Sequence, residues 1–431
     1  MLHDPGHIEA PVQAEEIVFS KNDKDILRRL VDQKAEIAAL PVQKNNIDLW
    51  TSVNNLKSKR PTVLIYQVCW HEFKKATDLK MQCDHLFARF LEDELRKTIY
   101  QWHNFPGDMV VNDFMACPKA MHSTDFGILE KVDTIKQDEN SDIMSRHFQI
   151  QIKDPEDIEK IKMPIISHNA QATEFRYQVM QDTFGDILPV RKYGQGHIWF
   201  TPWDYLVRWW GVTEAMMDLA LRPEMVNAAV DRMVDAWMTE LDQLDEQNLL
   251  ELDNNNELVG SGGYGYCDEL PGVDFDPNHV KPKNMWGCSN AQVFSEVSPQ
   301  MHWEFGIEHD LRWLERFKLT YYGCCEQLHH KTHLLRKIPN LRKVSVSPWC
   351  DFDKIINDLG SDYVLSIKPT PAVFADETWD GERVRKIIRE ILDIANGKCH
   401  LEFILKDIST ISYQPERLID WNRIVMEEVQ A

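Results

Sequence analysis

The sequence predicts an α/β fold, a (β/α)8 TIM barrel with an N-terminal helical extension and an insertion in its first half. Three observations carry this. Short β-branched runs alternate with helical stretches from about residue 60 to the end. The runs are nearly continuous in apolar residues, as strands covered on both faces are. In the last third a strand-helix unit recurs every few tens of residues, the rhythm of a parallel sheet. An open dinucleotide-binding sheet is disfavoured, because no G-x-G-x-x-G follows the first run.

Taken in order, residues 22–57 read as amphipathic helix broken near Pro41. They form the extension, residues 1–60, and the barrel takes 61–431. The expected strands are 62–68, 109–114, 197–201, 249–253, 319–322, 343–347, 363–368 and 400–406. Helical periodicity fills 83–103, 214–247, 298–316, 328–338, 381–396 and 415–429. Pro223 divides the second of these, sitting at a helix start where its missing N–H costs little. Residues 130–195 fit the alternation poorly and read as the insertion, with a strand near 147–152.

Composition narrows the function. The chain has 431 residues and a formal net charge of −21. Such a surface repels phosphate backbones and anionic lipid, so nucleic acid and membrane are not expected partners. No apolar run is long enough to span a bilayer, and the N-terminus lacks the pattern of a secretory signal. Nine irregularly spaced cysteines suit reduced thiols and a cytoplasmic setting.

In a barrel the βα loops converge at the C-terminal strand ends, so polar residues there are the first candidates for chemistry. The fourth run ends in Glu251, Asp253, Asn254, Asn255 and Asn256, followed by Gly260, Gly262 and Gly263. These read as substrate-binding side chains with glycines for close backbone approach, or as an ordinary polar turn. The next unit ends in Tyr322-Gly323-Cys324-Cys325-Glu326, with His329 and His330 close behind. Thiolate, carboxylate and imidazole are zinc-ligand types, whereas plain packing cysteines are the simpler reading. Cys350 is a weak further ligand candidate. Asp351 follows the next strand and suits a helix cap or a ligand. Lys368, and Lys406 with Asp407, end the last two strands and suit an anionic substrate or a buried ion pair. His71-Glu72 after the first strand is an acid–base candidate. Among 14 tryptophans, Trp203 lies in a cluster with Trp199, Trp209 and Trp210 that suits a pocket wall or a helix core. Trp102, His103 and Asp108 suit packing and turns, and His168 and His197 stand isolated.

The segments Gly323-Cys324-Cys325-Glu326, IPNLRKVSVSPWCD (338–351), DYVLSIKPTPA (362–372) and LEFILKDIST (401–410) resemble the uroporphyrinogen decarboxylase superfamily. Within it they resemble the corrinoid-dependent methyltransferase branch, including uroporphyrinogen-decarboxylase-like and trimethylamine corrinoid protein-like members. The resemblance implies a barrel with its site at the strand C-termini. It implies zinc held by a His-x-Cys pair and a later cysteine, and a corrinoid (cobalamin) carried by a partner protein. This chain departs from that pattern. No histidine stands in register before Cys324, Lys406-Asp407 occupies the place of the last cysteine, and Cys399 begins that strand. Two adjacent cysteines do not easily both face one barrel, so an altered site would use Cys324 or Cys325 with Glu326, completed by His329 or Glu251. The arginine-rich motif of the decarboxylase branch is absent, so tetrapyrrole decarboxylation is not expected.

The implied activity is transfer of a methyl group between a small methylated amine or aryl methyl ether and a corrinoid protein or thiol. In this reading His71 or Glu72 protonates the leaving group. Lys368 and Lys406 bind anionic groups, Asn254 and Asn256 orient the substrate, and Glu251, Asp253, Tyr322 and Trp203 line its site. Glu326, Asp351, Lys406 and Asp407 complete the catalytic set, and relatives suggest a homodimer. Two alternatives stand beside it: a metal-free lyase or decarboxylase using Asp351, Lys368 and Lys406, and a non-catalytic small-molecule binder.

Overall fold

A computed structural model describes residues 11–73, 75–135 and 145–431; the first ten residues of the expected extension and 136–144 of the expected insertion lie outside it. Six strands form one hydrogen-bonded parallel sheet. In chain order they are β1 (Thr62–Ile65), β2 (Trp286–Ser289), β3 (Leu319–Tyr322), β4 (Leu341–Val346), β5 (Val364–Ile367) and β6 (His400–Leu405). Their order across the sheet is β1-β6-β5-β4-β3-β2. All but the first residues of β4 and β6 are buried, as strands with covered faces require. From β2 onward each strand is followed by helix. Helices Phe352–Leu359, Gly381–Ala395 and Pro415–Gln430 carry the apolar faces that pack on β4, β5 and β6. Between β3 and β4 only Thr332–Leu335 is helical, less than the expected 328–338.

The first half differs from expectation. Residues 109–114, 197–201 and 249–253 are not hydrogen-bonded strands. The ladder begins later, where Met115–Pro118 pairs in parallel with Val190–Tyr193, and side chains brace the residues before it. Asn46 donates to the Met109 carbonyl, Asn256 donates to that of Val110, and Gln43 accepts from the Val111 N–H. A single parallel bridge joins Gln195 to Leu250. Both oxygens of buried Asp253 accept the Trp286 N–H, at 3.1 and 3.0 Å. Strand β2 was itself invisible to pattern reading, because its sequence, WGCS, has no β-branched residue.

Helices α1 (Lys21–Ala38) and α2 (Pro41–Asn54) precede β1 and split at Pro41, which occupies a first-turn position. Leu27, Leu30 and Val31 of α1 share a separate core with Leu91, Leu95, Met180 and Phe184, so the extension packs on helices Leu86–Asn104 and Ala170–Phe184. Val132–Ile135 also pairs antiparallel with Ser145–Phe148. Among the described residues no helix is long and apolar enough to cross a membrane.

The glycine-rich segment 259–264 lies against the sheet. A Cβ on Gly260 would fall 2.4 Å from the Tyr321 ring, and one on Gly263 2.2 Å from Trp50. The Gly263 N–H donates to Glu402 at 2.9 Å, and Lys343 reaches both Glu402 (2.9 Å) and the Tyr264 carbonyl (3.2 Å). Tyr66 donates to the Ser261 carbonyl at 2.9 Å. Only side-chain-free residues fit so close to these walls.

Candidate functional site

Beyond the ends of β3, β5 and β6 lies a pocket of about 390 Å³. Its polar groups are Cys324, Cys325, Lys368, Thr370, Lys406, Asp407, Ser409 and Thr410; Pro348, Trp349, Pro369, Pro371, Ala372 and Ala375 supply apolar walls. Trp349 stands on the rim, 69% exposed. A wider hollow of about 660 Å³, bordered by Trp303, Glu304, His333 and Lys337, lies on the outer helices away from the strand ends.

Each charged group arrives by a short route. Lys368 and Lys406 follow the last residues of β5 and β6 and turn inward, because alternate residues of a strand share a face: Ser366 with Lys368, and Glu402, Ile404 and Lys406. Gly323 has φ +100 and turns the chain sharply after β3, setting the two cysteines across the mouth. Cys324 is buried and Cys325 exposed. Their sulfurs are 3.6 Å apart, and Lys406 Nζ lies 3.4 Å from Cys324 Sγ and 3.0 Å from Asp407. The Cys324 carbonyl accepts from Ser345 at 2.7 Å. Lys368 Nζ donates to the Tyr321 hydroxyl at 2.9 Å, the Ser366 hydroxyl at 2.6 Å and the Ser366 carbonyl at 3.1 Å.

The thiols behave as a coupled pair. The hydrogen bond between them, followed by burial, raises Cys324 well above an ordinary thiol. The same hydrogen bond, aided by the Lys406 charge, lowers Cys325 against burial. Lys406 touches Cys324 most closely, so the first negative charge belongs to the pair and is exposed at Cys325. Burial opposes the charge on Lys406, yet Cys324, Asp407 and Cys325 together outweigh it and hold the amine protonated. For Lys368 burial wins: it pushes the amine down to about 7, with the Glu402 charge offsetting only part of it and the Lys406 charge adding to it. Burial likewise raises the Tyr321 and Tyr66 hydroxyls well above the usual tyrosine range.

Of the residues the sequence singled out, Cys324, Cys325, Lys368, Lys406 and Asp407 share this pocket. Glu326 does not. It is fully buried, and its oxygens accept the N–H groups of Cys324 (2.7 Å) and Ala291 (3.2 Å), fixing the turn that bears the cysteines. Burial raises its carboxyl. His329 is buried with its ring 3.9 Å from that of His330, and burial lowers it. Asp351 is exposed and caps helix Phe352–Leu359 through the Lys354 N–H at 3.0 Å. Glu72 accepts from the Thr410 hydroxyl (2.6 Å) and the N–H groups of Ile411 (2.7 Å) and Tyr413 (2.9 Å), so it clamps the loop that forms one wall. His71 lies beside it, 3.9 Å away. Glu251 accepts from the Gly194 N–H at 3.2 Å, and Asn254 donates to the Leu270 carbonyl at 2.9 Å. With Asp253 and Asn256 these side chains brace the irregular first half instead of lining the pocket. Tyr322 and His302 share a buried hydrogen bond at 2.7 Å, and Trp203 donates to the Phe305 carbonyl at 2.7 Å; both belong to the core.

The donors do not fit zinc. Among the described residues no three His, Cys, Asp or Glu side chains converge to hold a metal ion. Glu326 spends its oxygens on backbone N–H groups, and an ammonium group already stands against the Cys324 sulfur. Ser345, Ser366 and Glu402 were not among the sequence candidates. The signal was present in the period-two polar residues of LRKVSV, VLSI and HLEFIL.

No family model and no curated protein matches the sequence. Among solved structures the chain is similar to a methyltransferase from Methanosarcina mazei, at a TM-score of 0.50 and 10% identity, over 89% of this chain and 98% of that one. At that identity the likeness shows a shared α/β fold.

Proposed function

We propose that this chain is a methyltransferase-like enzyme on a closed (β/α)8 barrel. It moves a methyl group between a small methylated amine or aryl methyl ether and a corrinoid protein or thiol. One observation carries this reading: a cysteine pair sharing a proton beside a held ammonium, at the base of a pocket with apolar walls. Methyl transfer is an in-line displacement at carbon, and it needs a strong nucleophile, a stabilised leaving group and little water. Cys325, as thiolate, directs an electron pair at the methyl carbon. The carbon–nitrogen or carbon–oxygen bond breaks, and its electron pair leaves with the donor. A phenolate leaving group is met by the Lys406 ammonium; a quaternary ammonium donor releases a neutral tertiary amine, which needs no proton. A corrinoid held by a partner protein would supply a nucleophile able to accept the methyl group. Lys406 then favours release of the thiolate. No step runs through zinc, whose charge Lys406 replaces.

The test is turnover of methylated amines and aryl methyl ethers with reduced cobalamin, followed by the methylcobalamin spectrum. Turnover that disappears in Cys325→Ala and weakens in Lys406→Met supports the proposal. An unimpaired Cys325→Ala enzyme, or no transfer from any donor, overturns it.

Lys368 favours a second reading, a metal-free lyase. A buried amine held at about 7 and facing the pocket is competent to attack a carbonyl and form a Schiff base. Trapping of a keto acid on Lys368 by borohydride, with activity retained in Cys324→Ala/Cys325→Ala, selects this reading over the first.

A further inference from the structure

The cysteine pair has a capacity separate from methyl transfer. Two sulfurs 3.6 Å apart, on adjacent residues, present one bite to a single atom. What they suit depends on their surroundings. A soft metal cation seeks thiolates, but here Lys406 Nζ lies 3.4 Å from one sulfur, and no further donor completes a cation site among the described residues. An ammonium at that distance repels a second cation. It does not repel a neutral thiophile that bonds both sulfurs covalently.

We propose that Cys324 and Cys325 form a chelating dithiol site for trivalent arsenicals. With an organoarsenic oxide, R–As=O, both S–H bonds break and two S–As bonds form. The two protons and the oxygen leave as one water molecule. Arsenic stays trivalent and no electron is transferred. Lys406 hands a proton to the departing oxygen and regains one from the Cys324 thiol. Cys325, exposed to the pocket, makes the first bond, and buried Cys324 closes the ring. The organic group has a place to go, since Trp349, Pro348, Pro369, Pro371 and Ala372 form the apolar wall. The other seven cysteines are buried, and none of them is adjacent in sequence to another. The inference stands on the disposition of the sulfurs and holds whether or not the pocket transfers methyl groups.

The test uses the reduced full-length chain and one equivalent of phenylarsine oxide, read by intact mass. The expected product gains one phenylarsenic group and loses two hydrogens. It survives excess glutathione, is removed by ethanedithiol, and shields Cys324 and Cys325 from iodoacetamide in peptide maps. Cys325→Ser, with its fold confirmed by circular dichroism, loses the glutathione-resistant adduct. The proposal is overturned if the wild-type chain forms no such adduct, if Cys325→Ser retains it, or if the shielded cysteines map elsewhere. Equimolar zinc that blocks the adduct overturns the assignment to a neutral ligand. Because the readout is mass and not turnover, failure here is distinct from failure of the methyltransferase reading.

Discussion

Replacing Lys343 with methionine isolates the forces that hold the centre of the molecule. Lys343 and Glu402 are both fully buried and form an ion pair of 2.9 Å. At that separation the gross attraction is about 6 kcal/mol for an effective dielectric near 20. In the variant Glu402 keeps the Gly263 N–H and the more distant Lys368 charge. The expected net loss is therefore about 3–5 kcal/mol, the range for orphaning one partner of a buried pair. The pH dependence gives a second check. Burial opposes ionisation of Glu402 in the wild type, but Lys343, the Gly263 N–H and Lys368 outweigh it and hold its pKa low. That stability is present above the unfolded value of about 4.3 and is lost as pH falls. In the variant burial dominates and the carboxyl pKa rises above the unfolded value. Its contribution is then complete in acid and lost as pH rises. The deficit is thus largest near pH 8 and narrows toward pH 5. Urea unfolding followed by circular dichroism at both pH values measures it, and Lys343→Met/Glu402→Gln should recover most of the loss. A deficit below about 1 kcal/mol, or one equal at both pH values, would refute the reasoning.

Three further outcomes are expected. Cys325 alkylates fastest among the cysteines, and Lys406→Met slows the reaction near neutral pH because removing the ammonium raises the pair's pKa; iodoacetamide rates across pH test this. Lys368, held at about 7, binds fewer protons than its unfolded counterpart of about 10.4. Its contribution to stability therefore rises with pH between those values, and Lys368→Met should flatten that slope in denaturation at successive pH values. Glu72→Ala strands the Ile411 and Tyr413 N–H groups and should cost about 3 kcal/mol, with faster proteolysis within 407–414.

The parallel sheet from β3 to β6 could be read directly, because LTYY, LRKVSV, VLSI and HLEFIL are β-branched, aromatic or apolar runs between helical patterns. The first half resisted because its spacing is set by side chains such as Asp253, Asn256 and Gln43, which leave no periodicity. The site followed the same divide. Lys368, Lys406 and the cysteines were accessible from the strand-end rule. Direction was not: Tyr321 reaches Lys368, whereas Tyr322, one residue on, turns to His302 in the core. Nor does closeness in sequence reveal that Glu326 folds back under its own loop.

The glycine-rich segment joins distant parts of the chain into one support. Trp50 of the N-terminal helices rests on Gly263, Ser261 meets Tyr321, and Tyr321 holds Lys368 beneath the ligand space. The leading helices are therefore a foundation for the reactive chamber and not an appendage to it. A chain trimmed to begin at β1 would lose the prop beneath its own floor, and the depth of the hollow would change before any reacting group did.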